Sequence, residues 1–205
     1  MGIPHGFSAL CLAILLSCIG LSCVGTEKAL AAPDQSAFQP MRSAEDQTRL
    51  NTLYADLAKS ADEETASGLT NSILRLWSRS GSDTVDLLTK RANVAMAAED
   101  NDAAESLLDA VVDIAPNFVE GWNRRATFYF TKGDFLRSMA DVQRVLALDP
   151  RHFGALSGMG SILQETGQDA AALVVYRQAL KVHPFLPGAQ RAMETLEVEV
   201  EGRGI

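Results

Sequence analysis

The sequence predicts an all-α fold, a solenoid of antiparallel helix pairs following an apolar leader. Three observations carry that expectation. Pro116, Pro150 and Pro184 recur at an interval of 34 residues. Between these prolines the same residue classes return column by column, which is the signature of a stacked repeat. The third observation is composition: 205 residues, 47% hydrophobic and 21% charged, which supplies a core but not a multi-span membrane protein. The formal net charge of −8 argues against nucleic acid or an anionic lipid surface as partner, because phosphate neutralisation needs clustered Lys and Arg.

Residues 1–31 read as a signal peptide. Phe7 to Val24 is apolar or small and uncharged, and Ala29-Leu30-Ala31 offers a small-x-small cleavage site. No Lys or Arg precedes Lys28, so two alternatives stay open. One is an uncleaved anchor, for which about 18 apolar residues suffice. The other is lipidation at Cys18, within Leu15-Leu16-Ser17-Cys18. All three export the remainder, and the expected location is the periplasm, in free or membrane-anchored form. Cysteine usage agrees with an oxidising compartment: Cys11, Cys18 and Cys23 all lie in the leader. Residues 32–42, bounded by Pro33 and Pro40, read as a linker.

Residues 43–84 predict a helix pair without the full repeat pattern. Ser43 and Ser60 are placed to cap its helices, the latter in a Ser60-x-x-Glu63 capping box. Leu50, Leu53, Tyr54 and Leu57 form one apolar stripe; Leu69, Ile73, Leu74 and Trp77 form a second. An atypical pair is what closes the exposed core end of a solenoid.

The repeats occupy windows 85–118, 119–152 and 153–186. Column eight holds Ala92, Ala126 and Gly160; column twenty holds Ala104, Ser138 and Ala172. These small residues let two helices approach closely. Leu108, Val142 and Tyr176 in column twenty-four fill the space beside them, at helical spacing. Gly133 and Gly167 mark the turn between the paired helices, where a left-handed residue is needed. Glu99 stands in that position in the first window, making that turn looser or strained. The prolines end each second helix. Residues 187–205 predict a closing helix and tail, with Ala189, Ala192, Met193 and Leu196 on one face.

Trp122, Ala126, Tyr129, Gly133, Phe135 and Pro150, with Ala147-Leu148-Asp149 before the proline, resemble the tetratricopeptide-repeat (TPR) family. Leu156, Gly160, Gly167, Ala172, Ala179 and Pro184 repeat the motif in the third window, and the first is in phase. The resemblance implies a concave groove lined by the first helix of each pair, with columns two, five, nine and twelve facing a bound peptide. Carried onto this sequence, and with column six added, the peptide-binding positions are Thr89, Lys90, Asn93 and Met96 in the first window. Asn123, Arg124, Thr127 and Phe130 follow in the second, and Ser157, Ser161 and Gln164 in the third. Column two adds Asp86, Glu120 and Gly154. The trough is polar, with Phe130 as anchor, Met96 as a second apolar contact, and Lys90 and Arg124 as steering charges.

The family's clamp for a C-terminal carboxylate is not present. Thr89 stands for its lysine, Arg124 for its second asparagine, and Gly154 and Gly158 for its last two cations.

No catalytic constellation, cofactor motif or metal-ligand spacing is legible. His152 and His183 fall at turns between repeats and are expected to be exposed. Gly154-x-x-x-Gly158-x-Gly160 lacks the Lys-Ser/Thr ending of a phosphate loop. The expected function is therefore a non-catalytic scaffold that binds a peptide segment or helix of an envelope protein. A self-associating assembly protein of the cell envelope is the alternative, and the oligomeric state stays open.

Overall fold

The computed structural model describes residues 42–200 and Gly202. The expected leader and all but the last residue of the expected linker lie outside the described residues. Nine helices are described: α1 (Ala44–Leu57), α2 (Glu63–Trp77), α3 (Asp83–Ala97), α4 (Asn101–Ile114), α5 (Val119–Thr131), α6 (Phe135–Leu148), α7 (Phe153–Glu165), α8 (Asp169–Val182) and α9 (Pro187–Val200). None is long and apolar enough to cross a membrane.

Local chemistry sets the boundaries. Side chains of Ser43, Asp62, Asp100 and Asp134 accept the backbone N–H three residues on, satisfying a donor that the first helical turn leaves open. The expected Ser60 cap is corrected here. Ser60 instead donates its hydroxyl to the Leu57 carbonyl at 2.7 Å, closing α1, and Asp62 caps α2. Before each repeat proline the chain leaves helical geometry. Ala115, Asp149 and His183 have φ of −129°, −142° and −134°, as the steric demand of a following proline requires.

The paired helices are joined by three equivalent turns. Gly133 and Gly167 both have φ of 71°, and Glu99 has φ of 57°. In each, the residue after it donates its N–H back across the helix end: Asp100 to Ala95, Asp134 to Tyr129, Gln168 to Leu163. Glu99 thus keeps the same turn and carries the strain of a side chain in left-handed backbone.

Close approach within a pair is most exacting in the third repeat. A Cβ on Gly160 would lie 2.7 Å from the Tyr176 ring. Gly160 with Tyr176 replaces the Ala126 and Val142 of the second repeat, so a larger side chain on one helix is matched by a smaller one on its partner. Across α4, α5 and α6 the Arg125 guanidinium forms a bidentate pair with Asp141, both contacts at 2.8 Å, and reaches Asp109 at 2.8 Å. Asp141 is buried, and Arg125 also lies over the Trp122 ring.

The N-terminal pair departs from expectation. It does not close the open core end beside α3 and α4. Its own core (Leu50, Tyr54, Leu57, Ile73, Leu76 and Trp77) instead packs with Phe153, Val182, Phe185 and Leu186 near the turns of the second and third repeats. Leu76 takes the buried place expected of Leu74, which is 44% exposed. The attachment is aromatic and polar. Trp77 stacks on the His152 ring, centroids 3.7 Å apart. The Tyr54 hydroxyl donates to Asp149 at 2.8 Å and accepts from Trp77 Nε1 at 3.2 Å. Thr70 meets His183 Nε2 at 3.0 Å.

The two histidines are accordingly corrected from exposed to buried, at 0% and 5% exposure. They lie at turns, and the hairpin covers those turns. His152 serves as the N-cap of α7, its Nδ1 accepting from Ala155 N–H at 3.0 Å.

Candidate peptide-binding groove

Helices α5 and α7 lie side by side as the first helices of consecutive repeats, and a concavity of about 240 Å³ opens between them. Five predicted positions converge on it: Asn123, Thr127 and Phe130 from α5, Ser157 and Ser161 from α7. Its floor adds Ala126, Ser138 and Val142, with Gly154, Ala155 and Gly158 on the α7 side. Helical spacing explains the convergence, since residues three and four apart share a face.

Chemically the site is an apolar floor with a polar rim. Asn123 Nδ2 donates to Glu120 Oε2 at 3.1 Å, which leaves its Oδ1 as an acceptor. Thr127 and Ser161 donate their hydroxyls to the carbonyls of Asn123 and Ser157 four residues earlier. Thr127 thereby offers a ligand its lone pairs, while the Ser161 hydroxyl also lies 3.1 Å from that of Tyr176. Phe130 is half-buried and packs on Phe135, ring centroids 5.5 Å apart. Its ring is thus held in place by α6, as an anchor residue needs to be.

Gly158 is open by choice of sequence rather than by packing. A Cβ there would meet nothing nearer than Val142 at 4.0 Å, an ordinary contact. The missing side chain leaves room in the concavity and is not needed for helix packing.

The other predicted positions are placed differently. Thr89 is corrected: it is buried at 8% exposure, and its hydroxyl bonds the Val85 carbonyl on its own helix. Lys90 lines a separate shallow recess with Arg91, Val94 and Ala98. Met96 packs into the cluster of Ala92, Ala95, Phe128 and Tyr129. Gln164 accepts from the Tyr176 hydroxyl at 2.7 Å. Asn93 and Arg124 bond one another at 2.9 Å, and Arg124 also pairs with Glu120 at 3.0 Å. The expected steering charge is therefore built into a link between α3 and α5.

Glu120 is the residue that sequence reasoning underrated. It is 8% exposed, yet ties Asn123, Arg124 and the turn histidine together. Burial opposes its ionisation, but the contact with His152 Nε2 at 3.5 Å, the Arg124 charge and the Asn123 hydrogen bond outweigh burial. Its carboxyl is held below the usual range. The signal in the sequence was a carboxylate four residues before an arginine on one helix, Glu120 and Arg124.

Comparisons with known proteins agree with this geometry. A tetratricopeptide-repeat family model matches residues 119–152, the second window. A TPR repeat-containing protein of Rhizobium etli is 35% identical over 191 residues, covering 93% of this chain and 91% of that protein. Among solved structures, the TPR2B domain of yeast Sti1 in its complex with pHsp70 superposes with a TM-score of 0.52 at 16% identity, over 58% of this chain and 98% of that one. A mutant O-GlcNAc transferase of Thermobaculum terrenum gives a TM-score of 0.52 at 23% identity over 56% of this chain. This chain spans only 22% of that enzyme's length. With a relative this similar along nearly its whole length, and with the repeats in place, the chain belongs to the tetratricopeptide-repeat family.

Proposed function

We propose that this protein is a non-catalytic scaffold of the periplasm that receives an extended segment or helix of an envelope protein in the groove between α5 and α7. The observation that carries the reading is the convergence of Asn123, Thr127, Phe130, Ser157 and Ser161 on one concavity whose floor is apolar. Acceptor groups on the rim suit the N–H groups of a peptide backbone, and the Phe130 face suits an apolar side chain. Family membership supports a protein as partner, and the yeast TPR domain was solved as a complex with pHsp70. The apolar leader, with all three cysteines inside it, supports export.

Gly158→Leu tests the reading without harming the fold. The new side chain fills the concavity while raising helix propensity by about 1 kcal/mol. Co-purification from envelope extracts compares this variant and Phe130→Glu with the wild type. The expected result is a partner retained by the wild type and lost by both folded variants. A partner set unchanged in both would refute groove binding, and recovery of the protein alone would point to self-assembly.

A further inference from the structure

A second cavity, of about 380 Å³, lies away from the groove, where the N-terminal hairpin meets the repeat turns. Its wall combines Arg42 and Gln47 at the start of α1, Arg79 after α2, Asn117 to Val119 before and in α5, and Ala147 to Arg151 at the end of α6. Three arginines thus line one cleft in a chain of net charge −8. Opposing them is Asp149, whose carboxylate is committed to the Tyr54 hydroxyl at 2.8 Å and the Arg151 N–H at 3.2 Å.

The arginines are not equivalent. Arg151 is structural: its guanidinium lies 4.5 Å from the Tyr54 ring centroid and bonds Asn51. Arg42 and Arg79 enter no ion pair among the described residues. An arginine left without a carboxylate keeps a planar, multiply donating fork available for one. Arg42 and Arg79 line the cleft together with the amides Gln47 and Asn117 and the apolar Leu148 and Pro150.

We propose that this cleft is a second binding site, specific for an acidic peptide segment, with Arg42 and Arg79 as its carboxylate-binding residues. A peptide fits better than a compact anion because the charges come from separate elements, α1's start and the α2–α3 connection, along a cleft with apolar lining. Spaced carboxylates on an extended chain meet such donors in turn, and aliphatic parts of the segment cover Leu148 and Pro150. The cleft gathers arginines in a chain of net charge −8, and that local positive charge draws an acidic segment to it. The site is independent of the α5–α7 groove and does not rest on the function proposed for it.

The test is fluorescence anisotropy of a labelled peptide carrying alternating Glu and Leu, against its Gln-for-Glu counterpart, on the full protein. Binding of the acidic peptide is expected, weakening as salt is raised. The Arg42→Ala/Arg79→Ala variant, which breaks no ion pair among the described residues, is expected to bind it at least about tenfold more weakly. Gly158→Leu, which blocks the groove, is expected to leave the affinity unchanged, so failure at either site is separately visible. Equal binding of the two peptides, or unchanged affinity in the double-arginine variant, would overturn the proposal. So would displacement by inorganic phosphate at matched ionic strength, which would make the cleft a small-oxyanion site.

Discussion

The close approach of Gly160 to Tyr176 gives the sharpest quantitative prediction. In Gly160→Ala the new Cβ falls 2.7 Å from Cε1 and Cζ of Tyr176 and 2.9 Å from Cε2. Carbon atoms pack at roughly 3.5–4.0 Å, so the ring retreats by about 1 Å. Its hydroxyl is then drawn from Gln164, at 2.7 Å, and Ser161, at 3.1 Å. Overpacking of this kind costs about 1–3 kcal/mol. Weakened hydrogen bonds add roughly 1 kcal/mol, and the gain in helix propensity returns about 1 kcal/mol. The net expectation is destabilisation by about 2 kcal/mol. In a Tyr176→Val background the ring is gone and the pair copies Ala126 with Val142 of the second repeat. There Gly160→Ala is expected to stabilise by up to about 1 kcal/mol. Urea unfolding of the four proteins closes the double-mutant cycle, with a coupling of about 2–3 kcal/mol. If Gly160→Ala costs the same in both backgrounds, the idea that repeat columns eight and twenty-four trade volume is wrong.

Three further outcomes follow from the same geometry. Glu99→Gly relieves a left-handed residue at φ 57°, and is expected to raise stability by about 0.5–1 kcal/mol after the added unfolded-state entropy is subtracted, read from the urea midpoint. Asp141→Ala strips the buried bidentate partner from Arg125, and denaturant unfolding should show a loss of about 3 kcal/mol. Burial holds the His183 imidazole below its ordinary value, so the unfolded chain takes up a proton first as pH falls. The stability contributed by the neutral ring is therefore present above about pH 6.5 and lost progressively below it. The urea midpoint measured across that range should decline on the acid side, and less steeply in His183→Gln.

The repeats were legible because their physics is periodic. Small residues in columns eight and twenty, the turn glycines and the prolines each answer a local demand that recurs every 34 residues. Even Glu99, which breaks the pattern, stood out as a turn either looser or strained, and its positive φ decides for strain. The docking of the N-terminal hairpin was not legible. It depends on single non-periodic contacts, such as Tyr54 with Asp149 and Trp77 with His152, which no spacing announces. The same contacts explain why two turn histidines are buried.

At the groove, columns of helix faces located Asn123, Thr127, Phe130, Ser157 and Ser161 but did not separate them from Thr89 and Gln164. That separation depends on where each side chain ends up: Thr89 is buried at 8% exposure on α3, and Gln164, bonded to Tyr176, does not line the concavity. Lining a face and being available on it are different properties. The arginine cleft was hidden for another reason. Its residues come from four chain segments that share no motif.

Photo-crosslinking tests the central claim most directly. A benzophenone side chain is placed at Thr127, exposed at the rim of the groove, and in a second protein at Val174, 55% exposed on α8. The account predicts an adduct with an envelope protein from position 127, lost when Gly158→Leu is added, and none from position 174. An adduct from 174 without one from 127 would place binding on the outer helices and contradict it.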